Sequence, residues 1–226
     1  GLQTSDGGNS AIYAAAVVAL GGGELSFGIP RSAMREIFGK KPMAGAQSLD
    51  LGTELGLLAQ ADVLTVEYLN SNVDIYGLRY DNTFGAARIS TGIYKAEDAT
   101  VTQLAMEYEM QAAKLQFGVE RISGGGSSLT NLAMGATASF GAVDVSGLVR
   151  HLDTTGDNLN SLRLDAAYNV GDAFTLGASY LTASELGSDL LGLSGEYTIT
   201  KSAYVQGGVL HSSGDNVYDL SLGVKF

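Results

Sequence analysis

From Val73 to Phe226 the sequence alternates apolar and polar side chains with a period of two, and this restricts the chain to a sheet of long strands. In the last segment Tyr218, Leu220, Leu222, Val224 and Phe226 fall on one face. Asp219, Ser221, Gly223 and Lys225 fall on the other. Pleating sends successive side chains to opposite sides, so each such segment reads as a strand with one greasy and one polar face. The split recurs upstream: Leu104, Met106, Tyr108 and Met110 oppose Gln103, Ala105, Glu107 and Glu109. About eleven strands of this kind fit between Val73 and the C-terminus, each close to the length a tilted strand needs to cross a bilayer.

The connections alternate as well. Those at 82–85, 111–113, 140–142, 171–173 and 201–202 are short. Those at 95–100, 123–128, 153–160, 183–189 and 212–216 are more polar and look longer. Short turns at one end and polar loops at the other describe an up-and-down barrel with its turns in the periplasm. The polar faces carry charges of both signs on strand after strand, and the apolar faces carry almost none. A soluble barrel also alternates, but it gives no reason for that charge distribution. A closed cylinder with lipid outside and water inside does.

Composition narrows the classes further. No run of about 18 apolar residues exists, so no transmembrane helix is expected. A net charge of −11 argues against nucleic acid, whose phosphates call for basic patches. With no Cys there is neither a disulfide scaffold nor a thiolate metal site. The chain starts at Gly1 without a visible secretory signal and reads as a mature or truncated sequence.

Residues 30–72 break the alternation. Two strand candidates precede this stretch, at about 11–20 and 23–29. Inside it lie Pro30, Pro42 and weakly helical pieces near 32–38 and 48–60. An irregular stretch of this length is usually functional.

The terminal Phe226, with apolar residues at every second position back through Val224, Leu222 and Leu220 to Tyr218, resembles the last strand of Gram-negative outer-membrane proteins. There it is the signal read by the barrel-insertion machinery. The segment Gly23-Glu-Leu-Ser-Phe-Gly-Ile29, the long loop, and Val73-Asp-Ile-Tyr-Gly-Leu-Arg-Tyr-Asp-Asn82 together resemble the fifth strand, third loop and sixth strand of trimeric general porins, closest to the α-proteobacterial type. The resemblance implies an all-β transmembrane antiparallel up-and-down barrel of sixteen strands, about thirteen of them in this chain. Residues 1–226 would form one porin domain, with 30–72 folded inward as the constriction loop. Three strands, roughly 40–60 residues, would then precede this sequence. If 63–69 is itself a strand, the chain instead makes a fourteen-stranded barrel.

The resemblance also implies where the channel does its work. Asp50, Glu54, Asp62 and Glu67 would be the acids of the constriction loop. Arg79 and Arg88 would face them from the wall, and Arg31, Arg35, Lys40 and Lys41 are further basic candidates. By phase, Glu107, Glu109, Lys114, Glu120, Arg150, Arg163, Asp165 and Glu196 line the pore. Glu24, Asp144, Asp219 and Lys225 share that phase, which gives a mild acidic excess. Tyr80, Tyr108, Phe140, Tyr168, Phe174 and Tyr197 sit near the short turns on apolar faces, where an interfacial girdle belongs. Tyr94 and Tyr204 are candidate lumen aromatics.

No catalytic constellation is visible: His151 and His211 stand outside any nucleophile or metal motif. No cofactor is expected, although Glu97 with Asp98, or Asp153 with Asp157, could hold a structural Ca²⁺. The expected function is passive diffusion of small hydrophilic solutes and ions through the outer membrane by a homotrimer. The alternatives are a substrate-specific channel and a structural or adhesive barrel.

Overall fold

The computed structural model describes residues 13–39, 66, 74–124, 126–156, 158–184 and 189–224. Among them thirteen strands form one antiparallel sheet in chain order. The first two are β1 (Ala14–Leu20) and β2 (Gly23–Ile29). After the long connection come β3 (Ile75–Phe84), β4 (Ala87–Ala96), β5 (Ala99–Glu109), β6 (Ala113–Gly124) and β7 (Ser127–Phe140). Then follow β8 (Val143–Asp153), β9 (Asn158–Val170), β10 (Phe174–Ala183), β11 (Asp189–Thr200), β12 (Ala203–Ser212) and β13 (Asp215–Val224). β1 and β13 each have a single partner strand among the described residues.

The period-two alternation translates directly into two walls. Leu104, Met106, Tyr108, Leu115, Phe117, Leu132, Met134, Leu164, Leu176, Leu191, Leu193, Leu220 and Leu222 are all exposed on the outer face. Exposure on this scale is untenable in water and is the lipid-facing band of a membrane barrel. Tyr108, Phe140, Tyr168 and Tyr197 close the band at the short-turn end. Tyr76, Tyr180 and Tyr218 are spaced along the opposite end of the same face, forming a second aromatic rim that the sequence reading did not anticipate.

The connections differ from expectation. Asn82 lies inside β3, and its turn is only Gly85 and Ala86. At the other end β4 passes to β5 through Glu97 and Asp98 alone, and β12 to β13 through Ser213 and Gly214 alone. Polar composition there reflects tight turns rather than length. Ser213 and Gly214 both have positive φ, which is what a two-residue type I′ hairpin demands. Of the proposed strand at 63–69 only Val66 is described, and it is helical.

The wall turns inward after β2. Gly28 adopts φ 117 where a Cβ would press on the Ala14 carbonyl, and Pro30 follows. The chain then forms α1 (Ala33–Phe38), the piece anticipated at 32–38. Ser32 caps it, its hydroxyl accepting from the Arg35 amide at 3.0 Å. A helix this short is not stable alone and must be held by what it packs against. Met34, Ile37 and Phe38 are buried against Ala105, Ala133 and Leu148 on the inner face of β5, β7 and β8.

Candidate functional site

The inner face is where charge collects, and α1 sits on it. The helix has a greasy side and a charged side. On the greasy side the wall is cut back: a Cβ at Gly118 would overlap Met34 and Phe38, and one at Gly135 would approach Phe38. Glycine and alanine therefore make a shelf into which the side chains of α1 settle. On the other side Glu36 faces two wall arginines. Arg79 Nη1 donates to its Oε1 at 3.0 Å, and Arg88 Nη2 to its Oε2 at 3.2 Å. Arg79 also donates through Nε to Asp81 at 2.7 Å and through Nη1 to the Arg31 carbonyl at 3.0 Å.

Three neutral side chains fix the helix backbone. The Tyr94 hydroxyl accepts from the Ala33 amide at 2.9 Å and donates to the Arg31 carbonyl at 3.2 Å. Gln103 Oε1 accepts from the Met34 amide at 3.3 Å. Gln116 Nε2 donates to the Ile37 carbonyl. Tyr94 lies flat over Gly77 and Gly92, whose absent side chains leave room for its ring. It is 1% exposed, so it anchors the inward segment and is not available for stacking with a solute. Tyr94→Phe should leave the buried Ala33 amide without its acceptor, a cost of about 1–3 kcal/mol. The expected result is faster limited proteolysis after Arg31 or Arg35, with the barrel otherwise intact.

The pore-lining residues divide into three groups. Lys114 Nζ bridges Glu107 at 3.2 Å and Glu109 at 3.8 Å, a half-exposed ladder on β5 and β6. Arg163 pairs with Asp165 at 3.0 Å, and Asp165 also accepts from Ser179 at 2.7 Å. These two border a concavity with Asp144, Ser194, Glu196 and Gln206. The third group corrects the reading from phase alone. Glu120 and Arg150 lie on the inner face but are buried, so they do not line open water. Glu120 accepts from Gln103 and from Asn131 directly behind α1. Arg163 is as enclosed as Arg150.

Asp50, Glu54, Asp62, Glu67, Lys40 and Lys41 lie outside the described residues, as do Lys225 and Phe226. Arg31 stands 5.5 Å from the centroid of the Tyr13 ring. Val224, Leu222, Leu220 and Tyr218 share the outer face. The acid that Arg79 and Arg88 meet is Glu36, which the sequence reading passed over. Its signal was available: it is the one acid between Pro30 and Lys41, on the side of the helical piece opposite Met34 and Phe38. His151 and His211 point outward near the loop ends, with Nδ1 2.7 Å from Asn160 Oδ1 and 3.0 Å from Asn216 Oδ1. Among the described residues no three His, Asp or Glu side chains gather as metal ligands.

A sheet that is greasy outside and charged inside, with a capped helix folded onto the charged face, defines a β-barrel channel of the outer membrane. Residues 2–217 match the Gram-negative porin family, and the chain belongs to it. It is a channel for passive diffusion across the outer membrane. No curated protein sequence matches the chain. Among solved structures it is similar to a porin refined at 1.8 Å, with TM-score 0.78 and 19% identity over 94% of this chain and 80% of that one. It is also similar to a triple mutant of Rhodopseudomonas blastica porin, with TM-score 0.68 and 15% identity over 93% and 75%. A third likeness is to the trimer form of the Vibrio cholerae outer-membrane protein OmpT, with TM-score 0.64 and 15% identity over 88% and 69%. At these identities the likeness is one of fold.

Proposed function

We propose that α1 forms part of the narrowest section of the channel, and that the contact of Glu36 with Arg79 and Arg88 sets its electrostatics. That contact carries the reading, because it joins the inward segment to the wall across the water-filled side. Asp50, Glu54, Asp62 and Glu67 would add negative charge from the same segment, with Arg31, Arg35, Lys40 and Lys41 as its basic counterpart. Rings and clusters of charge in a wet pore select ions by field and by size. The inner face of β10 to β13 supports a mild cation preference: its described charges are Glu196, Asp215 and Asp219, all acidic. With Tyr94 buried, Tyr204 alone is left of the two candidate lumen aromatics, and free diffusion of small hydrophilic solutes is the better reading. The channel carries out no chemistry on them. It works as a homotrimer, as the Vibrio cholerae protein's trimer form suggests, and enters the membrane through the barrel-insertion machinery by its terminal strand.

Planar-bilayer recording across a KCl gradient tests this. The wild-type chain should give ohmic steps with a modest cation preference. Glu36→Gln leaves Arg79 its Asp81 partner but takes from Arg88 its carboxylate, so the reversal potential should move toward anions. An unchanged reversal potential removes Glu36 from the constriction, and the absence of steps removes the channel.

A further inference from the structure

We propose that the loop-end half of the outer wall between β2 and β6 is a seat for a phosphate-bearing anionic lipid, with Arg121 and Lys95 holding the headgroup and a groove below them holding an acyl chain. The inference rests on the outer face meeting lipid.

The groove encloses about 430 Å³. Cross-strand register lays its walls in two rows. The deeper row runs Leu25, Tyr80, Thr91, Leu104 and Val119. The row nearer the loop end runs Leu78, Ile93, Thr102 and Arg121. Thr91 and Thr102 are the small members between larger neighbours, and that difference in size opens the groove. One further step toward the loop end, Lys95 faces Thr100 across β4 and β5. Strands lie about 4.8 Å apart and alternate residues about 6.8 Å along a strand, so the two bases start roughly 12 Å from one another. Two flexible cationic side chains can close that interval on a single phosphorylated headgroup.

Satisfaction of the polar groups separates these bases from everything around them. A polar group facing hydrocarbon must find its partner within the protein. Thr91 donates to the Gln103 carbonyl at 2.9 Å, and Thr102 to the Arg121 carbonyl at 3.4 Å, so the groove presents their methyl groups. Tyr80 donates to the Leu20 carbonyl at 3.2 Å and accepts from Asn82 at 2.9 Å. On the inner face Arg79, Arg88, Lys114 and Arg163 all pair with carboxylates. Lys95 and Arg121 make no ion pair or side-chain hydrogen bond with any described residue. Glu97 and Asp98, in the turn above, are not within ion-pair distance of either. Two outward bases at the membrane interface, each without an anionic partner among the described residues and set above an apolar groove, are complementary to an anionic headgroup on its acyl chains.

The test is native mass spectrometry of the full chain in detergent, with equal amounts of dioleoyl phosphatidylglycerol and dioleoyl phosphatidylcholine. The wild-type protein should retain phosphatidylglycerol preferentially. An interfacial base is worth a factor of about five, so Lys95→Gln with Arg121→Gln should lower that preference by more than tenfold. Thr102→Phe fills the groove, leaves both bases in place, and should weaken retention of both lipids. Lys201→Gln, at the short-turn end, should change nothing. Equal retention of the two lipids by the wild-type protein overturns the proposal, as does an undiminished preference in the double variant. Displacement of the lipid by millimolar inorganic phosphate, with Thr102→Phe behaving as wild type, would show a free-anion site and also overturn it. Heat-modifiable gel migration identifies variants with an intact barrel, and only those are compared.

Discussion

Gly118→Leu is expected to raise single-channel conductance more than any other single change on the inner wall. A side chain at 118 would occupy the space now filled by the ends of Met34 and Phe38. A methyl group could be met in part by rotation of the Met34 thioether but would still press on the Phe38 ring, so Gly118→Ala should have a smaller effect in the same direction. A leucine cannot be met that way. Overpacking of this kind costs about 1–3 kcal/mol, a factor of roughly five to over a hundred in the balance between a seated and an unseated helix. The barrel itself has another way to relax: α1 lifts off, and its contacts through Tyr94, Gln103, Gln116 and Glu36 go with it. The expected record is a larger and noisier conductance in planar bilayers. Adding Met34→Ala to Gly118→Leu returns volume to the shelf and should bring conductance part of the way back. Unaltered conductance in Gly118→Leu would mean that α1 lies away from the permeation path.

What the sequence made legible, and what it hid, follows from the range of the interactions. Strand existence and face are local properties. Leu104 and Gln103 declare their sides by adjacency alone, and all eleven strands after residue 72 are found. Turn length is less local, because Glu97 and Asp98 look like part of a polar loop until the pairing of Ala96 with Ala99 closes the hairpin around them. The seat of α1 is not local at all. Gly77 and Gly92 read as ordinary strand glycines, yet they exist as space for the Tyr94 ring. Gly118 and Ala105 likewise gain meaning only from Met34 and Phe38, whose separation in sequence is some seventy residues or more. For the same reason Tyr94 looked like a lumen aromatic: phase placed it on the inner face but could not show a helix covering it. Glu120 and Arg150 were placed on that face correctly and on its open water wrongly. The pairing of Glu36 with Arg79 and Arg88 follows the general scheme of an inward acid facing wall bases: the lone acid opposite Met34 and Phe38 was legible, and its two partners required the fold.

Two neighbouring residues give the sharpest contrast the two-walled reading allows. Leu193 and Ser194 are consecutive in the middle of β11, one outward and 61% exposed, the other inward at the border of the concavity with Glu196 and Asp165. Leu193→Arg places a charge in hydrocarbon and should cost about 2–4 kcal/mol of folded stability, the midplane value for a lipid-facing base. Ser194→Arg places the same group in water beside two carboxylates. Its cost should stay within about 1 kcal/mol, as lumen substitutions tune selectivity more than stability. Urea titration of the chain folded into lipid vesicles gives both numbers, and bilayer recording of Ser194→Arg should show a lower cation preference. Were the outer face bathed in water instead, Leu193 would already be solvated, and Leu193→Arg and Ser194→Arg would differ little. Equal losses at the two positions would therefore be incompatible with lipid on one side and water on the other, whatever the conductance of the wild-type protein.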